Sequence, residues 1–178
     1  MKTPADTASV PVWDLFVRLF HWSLVTCVIL NLWVLEEGET PHEWAGYTAT
    51  GLVLARVVWG FVGSRHARFS DFFPTPGRVM AHVQALLRGE HPSSPGHNPL
   101  GALMMLALMA LVLGLGLTGW LQGTDAYFGE EWLEELHEGL ANTLLLLAGL
   151  HATAAIVMSR LEGVNLVRAM VTGKKERL

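Results

Sequence analysis

The run LHEGLANTLLLLAGLH is almost wholly apolar and carries a histidine near each end, His137 and His151. At about 3.6 residues per turn and about 1.5 Å per residue, their fourteen-position separation is just under four helical turns and about 21 Å. The two imidazoles therefore lie on nearly one face of a helix, at two depths. Two further histidines, His21 and His42, lie near the starts of two earlier apolar runs. A neutral imidazole binds a metal through one ring nitrogen. Imidazoles on facing helices can hold the iron of a low-spin haem from both sides, and four-helix bundles house such sites between their helices. Zinc fits less well: a single four-histidine site needs all four rings at one depth, and two separate two-histidine sites lack further ligands. Interfacial or packing roles are the remaining alternative, set against the rarity of ionisable groups inside a membrane and their usual tie to function.

The surrounding chain sets what can carry these residues. Its 178 residues are 51% hydrophobic and 16% charged, with a mean hydropathy of +0.36. That is too apolar for an ordinary soluble domain. Leu19 to Leu35, Leu100 to Gly123 and Gly139 to Ser159 hold no charged residue, and between Glu43 and Arg65 the only charge is Arg56. Each run supplies the ~20 residues that a hydrocarbon core of about 30 Å requires of a helix. The expected architecture is all-α, an integral membrane four-helix bundle forming a single domain over residues 1–178, with helices over about 12–35, 42–63, 98–122 and 133–159. The polar stretch TPADTASVP lacks the short apolar core of a removable signal peptide, so the first helix is expected to be an uncleaved anchor. One cysteine, Cys27, allows no intramolecular disulfide, and without a C-x-x-C-H motif covalent c-type haem attachment is excluded.

Charge orients the bundle. Lys2 and Arg18 precede or begin the first helix, Arg65, Arg68, Arg78 and Arg88 lie between the second and third, and Arg160, Arg168, Lys174, Lys175 and Arg177 follow the fourth. The segments EEGETPHEW and QGTDAYFGEEWLEELHEG contain neither lysine nor arginine. The positive-inside rule then predicts cytoplasmic N- and C-termini and a cytoplasmic middle loop. In that loop, Val79, Met80, Val83, Leu86 and Leu87 recur at helical spacing. This predicts a short interfacial helix between helices 2 and 3, lying on the inner leaflet or packed against the bundle. On this topology His42 and His137 sit near the outer face, and His21 and His151 near the inner face. The depths pair the histidines and predict two non-covalent haems, one per pair.

The stretches VWDLFVRLFHW, HEWAGY, RVVWGFVGSRHARFSDF, GHNPLGALM, LHEGLAN with its later LH, and NLVRAMVTGKK resemble the bacterial di-haem cytochrome b561 family. That group includes the b-type cytochrome subunits of nickel–iron hydrogenases. The resemblance covers nearly the whole chain and includes all four histidines in order. It implies that His21, His42, His137 and His151 ligate the iron of two haems b. It also implies electron transfer across the bacterial inner membrane between a periplasmic redox protein (a c-type cytochrome, a hydrogenase or another oxidoreductase) and quinone. The family also contains stand-alone members that handle superoxide, so a stand-alone superoxide- or metal-reducing quinone oxidoreductase is the alternative function. A haem-free membrane adaptor is a third.

Other residues have two uses each. Arg56 shares the His42 face at the depth of the inner pair, and Arg18 lies one turn before His21. Their guanidinium forks suit haem propionate carboxylates, with snorkelling to lipid phosphate as the alternative. At the mouth of the third helix, Asn98 could hydrogen-bond a quinone carbonyl and His97 could relay a proton, while Asn98 followed by Pro99 also reads as a plain helix cap. His66, His82 and His91 read as solvated loop residues, as His97 does by default. Gly46, Gly51, Gly114, Gly116, Gly119 and Gly149 suit helix packing, and the tryptophans near helix ends suit an aromatic belt. The two outer segments hold Glu36, Glu37, Glu39, Glu43, Asp125, Glu130, Glu131, Glu134, Glu135 and Glu138 and no base, a surface able to steer a basic electron carrier. With a net charge of −4, no nucleic-acid partner is expected.

Overall fold

The computed structural model describes residues 10–90, 94 and 96–176. The expectations for Lys2, most of the polar stretch after it, His91 and Arg177 lie outside the described residues. In chain order the helices are α1 (Leu15–Trp33), α2 (Thr40–Val62), the one-turn α3 (Phe69–Phe72), α4 (Pro76–Leu87), α5 (Pro99–Gln122), α6 (Glu131–Glu162) and α7 (Leu166–Thr172). A short strand lies at each end, β1 (Val10–Pro11) and β2 (Lys174–Lys175). α1, α2, α5 and α6 are each long and apolar enough to cross a membrane. The expected helical, multi-pass architecture is therefore borne out.

Local chemistry starts and stops these helices. Asp14 accepts from the Val17 N–H at 2.8 Å to begin α1, and Asn98 accepts from the Gly101 N–H at 2.7 Å to begin α5. Each satisfies a donor that a first helical turn leaves unpaired. α6 stops at Gly163, where φ is +63°, a conformation in which glycine meets no side-chain penalty.

Between the long helices, α1 packs on α2, α2 on α5, and α5 on α6. Phe20, Ala49, Val53, Met109, Val112 and Leu144 form the core where they meet. A Cβ at Gly116 would collide with Thr50, so glycine sets the approach of α5 to α2. α6 differs from the others. Among the described residues it packs closely on α5 and α7 but stands off from α1 and α2.

One end of the bundle is closed by segments distant in sequence. β1 pairs antiparallel with β2, and the N–H groups of Val12 and Trp13 donate to the Gly173 carbonyl at 2.8 and 3.1 Å. Lys175 Nζ donates to the carbonyls of Ser94 and Gly96 at 2.7 and 3.1 Å. α4 forms over the stretch where a short helix was expected and lies against α5. Its His82 is only 6% exposed, which overturns the solvated role expected of it, while Met80 and Leu87 face outward.

Asp14 ties this end together. Besides capping α1 it accepts from Trp59 Nε1 at 2.9 Å and from Ser64 Oγ at 2.5 Å. Burial pushes its carboxyl up, but the bonds from Ser64, Val17 and Trp59 and the charge of Arg56 outweigh that and hold it below the usual aspartate value. Asp14→Ala removes a helix cap and two cross-links, so it should cost about 1–2 kcal/mol. The readout is a lower Tm of the detergent-solubilised protein, and an unchanged Tm would show that the end is not held through Asp14.

Candidate functional site

His42 lies in the first turn of α2 and His137 in the second turn of α6. Their rings face each other with centroids 6.5 Å apart and planes inclined at 57°. His42 Nδ1 is sealed with no hydrogen-bond partner, and His137 Nδ1 lies 2.8 Å from Thr118 Oγ1 on α5. In both rings Nε2 is the nitrogen left accessible. A metal–nitrogen bond of about 2 Å on each side, plus half a ring on each side, puts two axial imidazole centroids about 6 Å apart. The observed spacing fits a single metal held between the two Nε2 atoms. Space for the His137 ring comes from Gly119, where a Cβ would approach Cε1 to 3.3 Å. Asn31 of α1 fixes the turn that carries His42, its amide placed to donate to the His42 carbonyl and accept from the Gly46 N–H, each at 3.2 Å.

The second pair lies toward the closed end. His21 of α1 and His151 of α6 are within electrostatic reach of each other, without ring contact among the described residues. His21 Nδ1 is again sealed and unpartnered, which leaves Nε2 accessible. Arg56, whose charge reaches His97 as those of His21 and His151 do, is the most deeply enclosed charge among the described residues. Arg56 is 1% exposed, donates to the Ala67 carbonyl at 3.0 Å and lies over the Phe69 ring at 5.5 Å. One of its terminal nitrogens, like Nε of Arg18, is buried without a partner. The ion pairs among the described residues involve neither arginine. An enclosed guanidinium without an anion is costly, and its fork matches a carboxylate.

His97 is not the solvated residue expected by default. It is packed between Trp13 and Phe72, with ring centroids at 4.6 and 4.8 Å, and feels Arg56, Lys175, His151 and His21. Asn98 next to it spends its oxygen on the α5 cap, and its amide nitrogen stays accessible. His66, also expected to be solvated, pairs with Asp71 at 3.0 Å. Among the described residues no group of three or more His, Cys, Asp or Glu gathers in one place. The histidines come in twos, which suits axial ligation and not a protein metal cage.

A family profile described as prokaryotic cytochrome b561 matches residues 12–173. The chain belongs to the prokaryotic cytochrome b561 family. It is thus a membrane b-type cytochrome, a class that binds haem and serves electron transport. The cytochrome is also 24% identical to a probable Ni/Fe-hydrogenase B-type cytochrome subunit of Rhodobacter capsulatus, over 94% of this chain and 81% of the relative. No solved structure matches it. Both the family and the likeness to the hydrogenase subunit were expected from the sequence.

The surroundings of His97 make the stability of the cytochrome depend on pH. Burial first, then the charges of Arg56 and Lys175, lower its pKa from 6.5 to about 3. Between those values the unfolded chain binds the extra proton and the folded one does not, so stability falls as pH drops through this window. His97→Phe keeps a ring between Trp13 and Phe72 but cannot titrate. The fall in Tm between about pH 7 and about pH 5 should therefore be smaller in His97→Phe than in the unaltered protein. An equal fall would show that His97 protonates freely in the folded state.

Proposed function

We propose that this cytochrome carries electrons across the bacterial inner membrane through two non-covalent haems b. His42 and His137 would ligate the one near the acidic face, and His21 and His151 the one near the basic end. The observation that carries this reading is the facing of His42 and His137 at 6.5 Å, in a bundle whose α6 stands off from α1 and α2. Haem b, when bound, supplies a one-electron carrier, and the chain supplies its ligands, orientation and electrostatics. Arg56 and Arg18 offer unpartnered nitrogens to propionate carboxylates beside the inner pair. The whole chain acts as one domain in this reading.

The distribution of lysine and arginine supports cytoplasmic termini and a periplasmic acidic face. The outward Met80 and Leu87 of α4 support its lying on the inner leaflet. A redox protein would dock on the periplasmic face, and the hydrogenase named in the Rhodobacter capsulatus relative supports an oxidoreductase in that place. Quinone would react at the basic end, close to cytoplasmic protons. There the free amide nitrogen of Asn98 could donate to a quinone carbonyl, and His97 could exchange a hydrogen bond as a neutral imidazole.

Replacing His137 alone should lower the haem-to-protein ratio from two to one and spare the other b-type band. Replacing His151 should give the reciprocal result. A ratio of one in the unaltered protein, or no haem lost in either variant, would overturn the pairing. Docking has a separate test. Neutralising Glu130, Glu131, Glu134 and Glu135 together should slow electron entry from a basic carrier several-fold at low salt and little at high salt, because surface steering is screened. Equal rates for the variant and the unaltered protein at every ionic strength would remove the steering role.

A further inference from the structure

The geometry points to Thr118 as a positioning residue that fixes the tautomer and ring orientation of His137, and through them the reduction potential of the outer haem site. This rests on the proposal that His137 is an axial ligand. Thr118 is 5% exposed and lies in the last turns of α5, the helix on which α6 packs. Its Oγ1 lies 2.9 Å from the Gly114 carbonyl, 3.2 Å from the Leu115 carbonyl and 2.8 Å from His137 Nδ1. A hydroxyl has one proton to give and lone pairs to accept with, and carbonyl oxygens can only accept. If the proton goes to Nδ1, that nitrogen is bare and the ring proton sits on Nε2, where it blocks ligation. If the proton goes to the Gly114 carbonyl, Oγ1 accepts from Nδ1–H and Nε2 keeps a free lone pair. Only the second arrangement satisfies Thr118 and also leaves His137 able to bind iron.

The other three ring partners lack this device. His21 and His42 have sealed, unpartnered Nδ1 atoms, and His151 has no hydrogen-bonded ring nitrogen among the described residues. The ring of His137 is thus held from one side by Thr118 and bounded by Gly119. An acceptor on the far N–H makes an imidazole a more basic ligand, which favours ferric over ferrous iron and lowers the potential. The two sites are therefore unequal by construction.

The test uses full-length, haem-loaded protein in detergent, with the outer haem identified as the one that His137→Ala removes. Thr118→Val keeps the shape and removes the hydroxyl, and Thr118→Ser keeps the hydroxyl. Thr118→Val should raise the outer haem's midpoint potential and shift its low-spin resonance signal as the ring reorients, with the inner haem unmoved. Thr118→Ser should match the unaltered protein in both. Loss of the outer haem in Thr118→Val with a native potential in Thr118→Ser also supports the role, since the two differ by the hydroxyl. An unchanged outer potential in Thr118→Val, or a Thr118→Ser that departs from the native potential, overturns it. Failure of the ligation reading is seen separately, as an outer haem that survives His137→Ala.

Discussion

Two imidazoles facing each other with centroids 6.5 Å apart need a gap that close helix packing would remove. Helices in ordinary contact lie about 8–10 Å axis to axis, which leaves no room for two rings and a metal between them. α6 must therefore be held firmly and yet kept away from α1 and α2, and α5 achieves both. Gly116 brings α5 close to α2 through Thr50, while Gly114 and Gly119 admit Leu140 and His137 of α6. Small residues on one central helix thus let two neighbours approach it closely while they pack only loosely on each other. A large residue at Gly116 would move α2, and with it His42, relative to α6. The site depends on packing that none of its ligands takes part in.

A second constraint acts at the basic end. Burying Arg56 without a carboxylate within ion-pair distance is unfavourable unless something anionic comes to it. Asp14, the acid whose charge reaches Arg56, is spent on the Val17 N–H, Trp59 and Ser64. Its bonds pin the start of α1 and the end of α2, the helices that carry Arg18 and Arg56. Ordering of the end and two arginines left outside any ion pair among the described residues are thus two results of one network. Lys175 adds to it by holding the Ser94 and Gly96 carbonyls just before His97.

How much of this was legible in the sequence follows from the range of each interaction. The four long helices were, because uninterrupted apolar runs respond to the local solvent alone. Helical periodicity sets the relative depth of residues on one helix, and the facing of His42 and His137 follows the spacing read from it. Thr118 was not legible, since a threonine in an apolar helix looks the same whether it bonds only its own backbone or also a histidine 19 positions away. Asp14 has partners 45 and 50 positions away, and only its local capping role could be read from sequence. His97 reads as a loop residue, but Trp13 and Phe72 close over it from segments that pattern alone does not bring together. Depth was readable, and enclosure was not.

On the proposed ligation, the two devices that distinguish the sites act in the same direction. Thr118 draws on the far N–H of His137 and lowers the potential at the acidic face. At the basic end Arg18 lies one turn before His21 and the charge of Arg56 reaches His97, and a cation near a haem there would favour the reduced, less positive state and raise the potential. Each haem would bring its own propionates, so the arginines would still leave the inner site more positive than the outer one. On that reading the outer site would be the weaker acceptor and the inner site the stronger. An electron delivered at the acidic face would then move downhill to the basic end, the end at which quinone reduction is proposed. On the proposed ligation, the direction of flow would thus be set from α5 and from the closed end as well as from the helices that carry the ligands.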